Sequence, residues 1–134
     1  MVVRTLAESE KHEKIVRMVL NHFKDQGYTN LKADLENETL PDQIGDYVPD
    51  LTCCKNDEKK TPIFVEAETC GTISHEHTEG QWKAFYRKSR EVNGEFHLAV
   101  PRVCNGDSGQ ALANQRLDEL NIKAHEVWKV NHSL

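Results

Sequence analysis

The segment 47–69 restricts this chain more than any other part of it. Two short β-compatible runs, 47–55 and 62–69, flank Asn56-Asp57-Glu58-Lys59-Lys60, a polar stretch whose composition suits a hairpin turn. In the run Ile63-Phe64-Val65-Glu66-Ala67-Glu68-Thr69, strand alternation puts Ile63, Val65 and Ala67 on one face and Phe64, Glu66 and Glu68 on the other. The fold must bury the first face and accommodate two carboxylates on the second. Same-face residues two apart on a strand have Cα atoms about 6–7 Å apart. At that spacing two carboxylates repel each other unless they share a divalent cation or are well solvated.

The rest of the chain alternates helical and extended periodicities. Residues 7–26 read as a helix, because Ile15, Val16, Val19, Leu20 and Phe23 recur at helical spacing, and Gly27 is suited to cap its end. A short strand over 28–35 leads into an irregular connection, 36–46, that contains Asn37, Pro41, Asp42 and Gly45. Beyond the hairpin, 75–91 is helical with Trp82, Phe85, Tyr86 and Ser89 on one face, and Asn93-Gly94 stops it. A buried strand over 96–100, a loop at Asn105-Gly106-Asp107, a helix over 108–120 capped by Ser108 and a strand over 122–130 complete the pattern. The order α-β-β-β-α-β-α-β, without repeat or linker, predicts one α/β domain over 1–134: a central mixed sheet flanked by helices on both faces.

Asp50 is the only acid within 48–54, the run expected to pair antiparallel with 62–69, so it supplies a third carboxylate beside Glu66 and Glu68. Hard oxygen ligands of this kind suit Mg²⁺ or Mn²⁺ better than zinc, and such ions serve phosphodiester hydrolysis. Acids on the outer face of a hairpin also occur as plain solvated surface, and alternation alone does not separate the two.

The formal net charge of −5 argues against loose attraction to a polyanion, so any nucleic-acid partner must be held by a local site. No apolar run approaches the roughly 20 residues of a membrane span, and the first residues lack a secretory-signal pattern; the expectation is a cytoplasmic protein with no membrane association. Cys53, Cys54, Cys70 and Cys104 show no CxxC spacing and read as reduced thiols. A zinc set drawn from Cys70, His75, His77 and one of the adjacent cysteines matches no common module, and His75 and His77 read as solvated loop histidines.

These features together resemble the PD-(D/E)XK nuclease superfamily, most of all the small archaeal Holliday-junction resolvases and RecB-like members. Pro49-Asp50 on one strand is followed, after a turn, by an apolar strand ending in Glu66-Ala67-Glu68; a preceding helix carries Glu10 and Glu13 and ends in Gly27-Tyr28; and Gln81, with Phe85 four residues later, is similar to the Gln-x-x-x-Tyr element. The resemblance implies a restriction-endonuclease-like fold and a Mg²⁺- or Mn²⁺-dependent endonuclease acting on DNA, structured or branched DNA included, with RNA not excluded. It places the metal on Asp50, Glu66 and Glu68 and the catalytic group on these three with Gln81 and Glu13, Glu10 being the alternative on the first helix. Glu68 stands where the family usually has lysine, a departure met in some active restriction enzymes of the superfamily. Lys83 lies about 200° around the helix from Gln81, so only one of the two reaches the site; the family spacing favours Gln81. By analogy the chain forms a homodimer. The alternative function is a non-catalytic nucleic-acid-binding or assembly module that retains the nuclease fold.

Overall fold

The computed structural model describes residues 6–131. The elements run α1 (Leu6–Asp25), β1 (Thr29–Ala33), β2 (Leu51–Cys54), β3 (Pro62–Ala67), α2 (Glu76–Glu91), β4 (Glu95–Pro101), β5 (Val103–Cys104), β6 (Asp107–Ser108), α3 (Gly109–Leu120) and β7 (Glu126–Val130). Five strands form a mixed sheet in the order β1-β2-β3-β4-β7. The first three are antiparallel neighbours, whereas β3–β4 and β4–β7 are parallel. Parallel neighbours require crossovers, and α2 and α3 supply them. None of the helices is long and apolar enough to cross a membrane among the described residues.

Period-two alternation in β3 and β4 divides the core into two layers. Ile63, Val65, Ala67 and Ala99 face α1 and pack with its Ile15, Val16, Val19, Leu20 and Phe23. On the opposite face Leu98 and Val100 meet Trp82 and Phe85 of α2 and Ala113 and Leu117 of α3, with Phe64 packed at the margin. Each fully buried Ile, Leu or Phe favours the folded state by about 1.5–3 kcal/mol over exposure, so the five buried residues of α1 suffice to fix its rotation on the sheet. On α2 it is Phe85 that is fully buried with Trp82; Tyr86, expected on the same apolar face, is only half-buried.

Two local departures from the sequence reading have identifiable causes. The expected loop around Asn105 is a small hairpin, β5–β6, pairing Val103 with Ser108 and Cys104 with Asp107. Asn105 and Gly106, at φ 50° and 89°, adopt the left-handed backbone that a tight two-residue turn requires. The last strand starts at Glu126 because Ile122 is spent closing the end of α3, where it is buried against the α2–α3 layer.

The reduced-thiol expectation is corrected for one pair: Cys70 and Cys104 form a disulfide with a Cα separation of 5.5 Å. That bond also removes Cys70 from the zinc set drawn with His75 and His77. Cys53 and Cys54 are free thiols, and burial pushes Cys53 up to about 12, so it stays protonated and unreactive.

Candidate functional site

Antiparallel pairing of Leu51 with Val65 sets the preceding residue, Asp50, across from Glu66. Asp50 sits just outside β2, where it links three elements. Its backbone N–H donates to Glu66 Oε1 at 3.2 Å. Its Oδ2 accepts from the backbone N–H of Ala67 at 2.8 Å and lies 3.0 Å from His12 Nε2 on α1. Both acids are buried, with 7 % of Asp50 and 2 % of Glu66 exposed.

Their ionisation is split by these surroundings. Burial is the largest influence on Asp50 and by itself would raise its pKa. The hydrogen bond and charge of His12, with the Ala67 N–H and a hydrogen bond from Glu66, outweigh it and hold the carboxyl below its ordinary range. Glu66 lacks a cationic neighbour of that kind. Burial first, then the negative charges of Asp50 and Glu68, push it well above the usual carboxylate range. Two carboxylates about 4 Å apart repel by about 4 kcal/mol at an effective dielectric of 20, so one of a buried pair stays neutral unless a cation enters.

Glu68 shares the face of Glu66 but has a different role. It is fully buried, and its two oxygens are engaged: Oε2 accepts from the indole Nε1–H of Trp82 at 2.9 Å, and Oε1 accepts from the Thr72 hydroxyl at 2.7 Å. Its backbone N–H donates to Ala99 O, continuing the β3–β4 ladder past Ala67. Glu68 thus secures α2 and the 69–74 loop to the end of β3.

The three strand acids are brought together; the helical candidates are not. Glu13 and its competitor Glu10 are exposed, because the buried stripe of α1 turns His12 toward the sheet instead. His12 lies three and four residues before the buried Ile15 and Val16, the spacing that shares one helix face. A polar residue within an apolar stripe was the signal for it. Gln81 is half-buried on the flank of α2 and makes no hydrogen bond to Asp50 or Glu66 among the described residues. Lys83 faces outward in an ion pair with Glu79 at 3.8 Å. His75 caps α2, its Nδ1 accepting from the His77 N–H at 3.2 Å. The partner of Glu68 was legible in principle, since a buried indole N–H needs an acceptor.

Among the described residues no set of three or more His, Cys, Asp and Glu side chains is arranged to hold a metal ion. Asp50 and Glu66 form a two-carboxylate set whose hard oxygens and mutual repulsion fit a small divalent cation. Glu68 does not join that set while Trp82 and Thr72 occupy its oxygens. Comparison of the chain with family models, curated proteins and solved structures finds no match.

Proposed function

We propose that this chain is a Mg²⁺- or Mn²⁺-dependent nuclease with the restriction-endonuclease-like, PD-(D/E)XK fold, acting on DNA through a cation held by Asp50 and Glu66. The observation that carries the reading is the placement of two buried, mutually repelling carboxylates at the adjoining ends of β2 and β3, within an α-β-β-β-α-β-α-β framework that the β5–β6 hairpin merely decorates. A divalent cation there would supply Lewis-acid polarisation of a phosphoryl oxygen and a ready source of hydroxide at neutral pH. The chain's own contribution is to orient Asp50 with His12 and the Ala67 N–H, to keep Glu66 beside it, and to exclude bulk water. Glu68, with both oxygens engaged, serves as a positioning residue for α2.

The second reading, a non-catalytic nucleic-acid-binding module, draws on one specific observation: the position usually held by lysine carries a carboxylate consumed by Trp82 and Thr72. A cleavage assay with and without Mg²⁺ or Mn²⁺, on linear, single-stranded and four-way-junction DNA, separates the two. Metal-dependent cutting that Asp50→Asn abolishes supports the nuclease; DNA retention without cutting under every metal condition supports the module.

A further inference from the structure

The Cys70–Cys104 disulfide lies just past the ends of β3 and β4, on the chain that continues from Glu66. Cys70 is three residues past the end of β3 and Cys104 three past the end of β4, and these parallel neighbours pair Glu66 with Leu98 and Ala67 with Ala99. The bond therefore joins the two chain segments that leave the sheet beside Asp50 and Glu66. Cys70 is exposed, whereas Cys104 is 4 % exposed.

The bond adds the one covalent tie to a loop otherwise held by hydrogen bonds and by the burial of Ile73. In 69–74, the backbone N–H groups of Thr72 and Ile73 donate to Thr69 O, Ile73 is buried in the α2–α3 layer, and the Thr72 hydroxyl donates to Glu68. The loop lies between α1 and the β5–β6 hairpin: a Cβ on Gly71 would stand 2.8 Å from Glu8 Oε1. A cleft of about 340 Å³ opens here, with Glu8 and Lys11 of α1 on one side and Thr69, Cys70 and Val103 on the other. The hairpin holding Cys104 has two residue pairs, too few to be rigid by itself.

We propose that the Cys70–Cys104 bond is a reversible thiol latch that sets how far the 69–74 loop opens beside Asp50 and Glu66, a regulation that rests on the metal-site reading for its consequence but not for its existence. The exchange partner is a dithiol reductant. One reductant thiolate attacks the sulfur of Cys70, the exposed residue of the pair; the Cys70–Cys104 bond breaks as a mixed disulfide forms, and Cys104 leaves as a thiolate that takes a proton. The second reductant thiol then attacks its own sulfur in the mixed disulfide, releasing Cys70 as a thiol and leaving the reductant as a disulfide. Two electrons pass to the protein, and glutathione disulfide or a similar oxidant reverses the step.

The test uses the full chain, oxidised with glutathione disulfide or reduced with dithiothreitol, with alkylation mapping of each cysteine and hydrogen exchange of peptides covering 69–75 and β3–β4. The expected result is protection of Cys70 and Cys104 together from alkylation in the oxidised form. Exchange in 69–75 should become about tenfold faster on reduction, with β3–β4 unchanged. Cys70→Ser should show the fast exchange with or without reductant. Free Cys70 and Cys104 after oxidation, or exchange in 69–75 indifferent to reduction, would overturn the latch. A Mn²⁺-induced melting shift measured on both forms separates the two ideas: redox-dependent exchange with no Mn²⁺ shift in either form supports the latch and refutes the metal site.

Discussion

The Trp82 indole N–H donates to Glu68 Oε2 at 2.9 Å, and neither side chain is exposed to solvent. This bond links the central residue of α2 to the end of β3, and it gives Glu68 a purpose independent of metal. Removing the carboxylate leaves the buried indole N–H without its acceptor and takes from the Thr72 hydroxyl its shorter bond, leaving it the longer contact to Thr69 O at 3.3 Å. Glu68→Ala is expected to cost about 2–4 kcal/mol in urea unfolding, and Glu68→Gln, which keeps an acceptor, about 1 kcal/mol. Glu68→Lys restores the residue common in the resembled family but offers no acceptor, so it should destabilise at least as much as alanine. An unchanged unfolding midpoint in Glu68→Ala would show that the Trp82 contact contributes nothing.

Glu66 should behave in the opposite way. Its folded pKa lies above the ordinary value of 4.5, so its contribution to stability is complete below that value and is lost as pH rises through the folded pKa. At neutral pH the wild type carries the penalty of a buried acid beside Asp50 and Glu68. Glu66→Gln is expected to raise the melting temperature at pH 7.5 by a few degrees, roughly what 1 kcal/mol produces in a domain of this size, and to give no gain at pH 4. Melts of both proteins at the two pH values decide it; an equal effect at both would mean that charge repulsion is not involved.

Asp50 differs again, because its pKa is held below the ordinary 3.8 and its carboxylate ties Ala67 and His12 to the end of β2. The stability it supplies is present above pH 3.8 and lost as pH falls through the folded pKa. Asp50→Ala should therefore lower the melting temperature at neutral pH, in contrast to Glu66→Gln. A variant as stable as the wild type would contradict the His12 and Ala67 contacts.

A second polar chain lies under α1. Lys55 Nζ donates to Glu95 Oε2 at 2.6 Å, His97 Nε2 lies 2.9 Å from Glu95 Oε1, and Trp128 Nε1–H donates to His97 Nδ1 at 3.0 Å. Because Nδ1 accepts from Trp128, the imidazole proton sits on Nε2 and faces Glu95. Burial is the main cause of its lowered pKa, against the pull of Glu95. The stability that neutral His97 supplies is present above pH 6.5 and is lost as pH falls through its folded pKa. A histidine-selective nitrogen NMR titration should find the Nε2–H tautomer at pH 7.5 and a midpoint below 6.5; a midpoint above 6.5 would contradict the assignment.

Much of this architecture was legible because its periodicities are strong. The stripe from Ile15 to Phe23 and the alternation from Ile63 to Glu68 each allow one rotation or one face, and the structure adopts them. Side-chain pairings were not legible in the same way. Nothing in the spacing of Cys70 and Cys104 reveals that both leave the sheet at the same edge, since that depends on β3 and β4 being parallel neighbours. The family resemblance points to the acids of α1, Glu13 or Glu10, as its reach into the site, yet the buried stripe delivers His12. Alternation grouped Glu66 with Glu68 correctly by face, but it could not show that Trp82 and Thr72 take up the second carboxylate.

The most direct test of the central claim is the shift in melting temperature on adding Mn²⁺ to the wild type, Asp50→Asn and Glu66→Gln. A ligand that binds only the folded state adds about 2.7 kcal/mol of stability at 100 times its Kd. The account predicts a saturable rise for the wild type and none for either variant. A wild type whose melting temperature ignores millimolar Mn²⁺, or variants that respond as the wild type does, would contradict a metal site at Asp50 and Glu66.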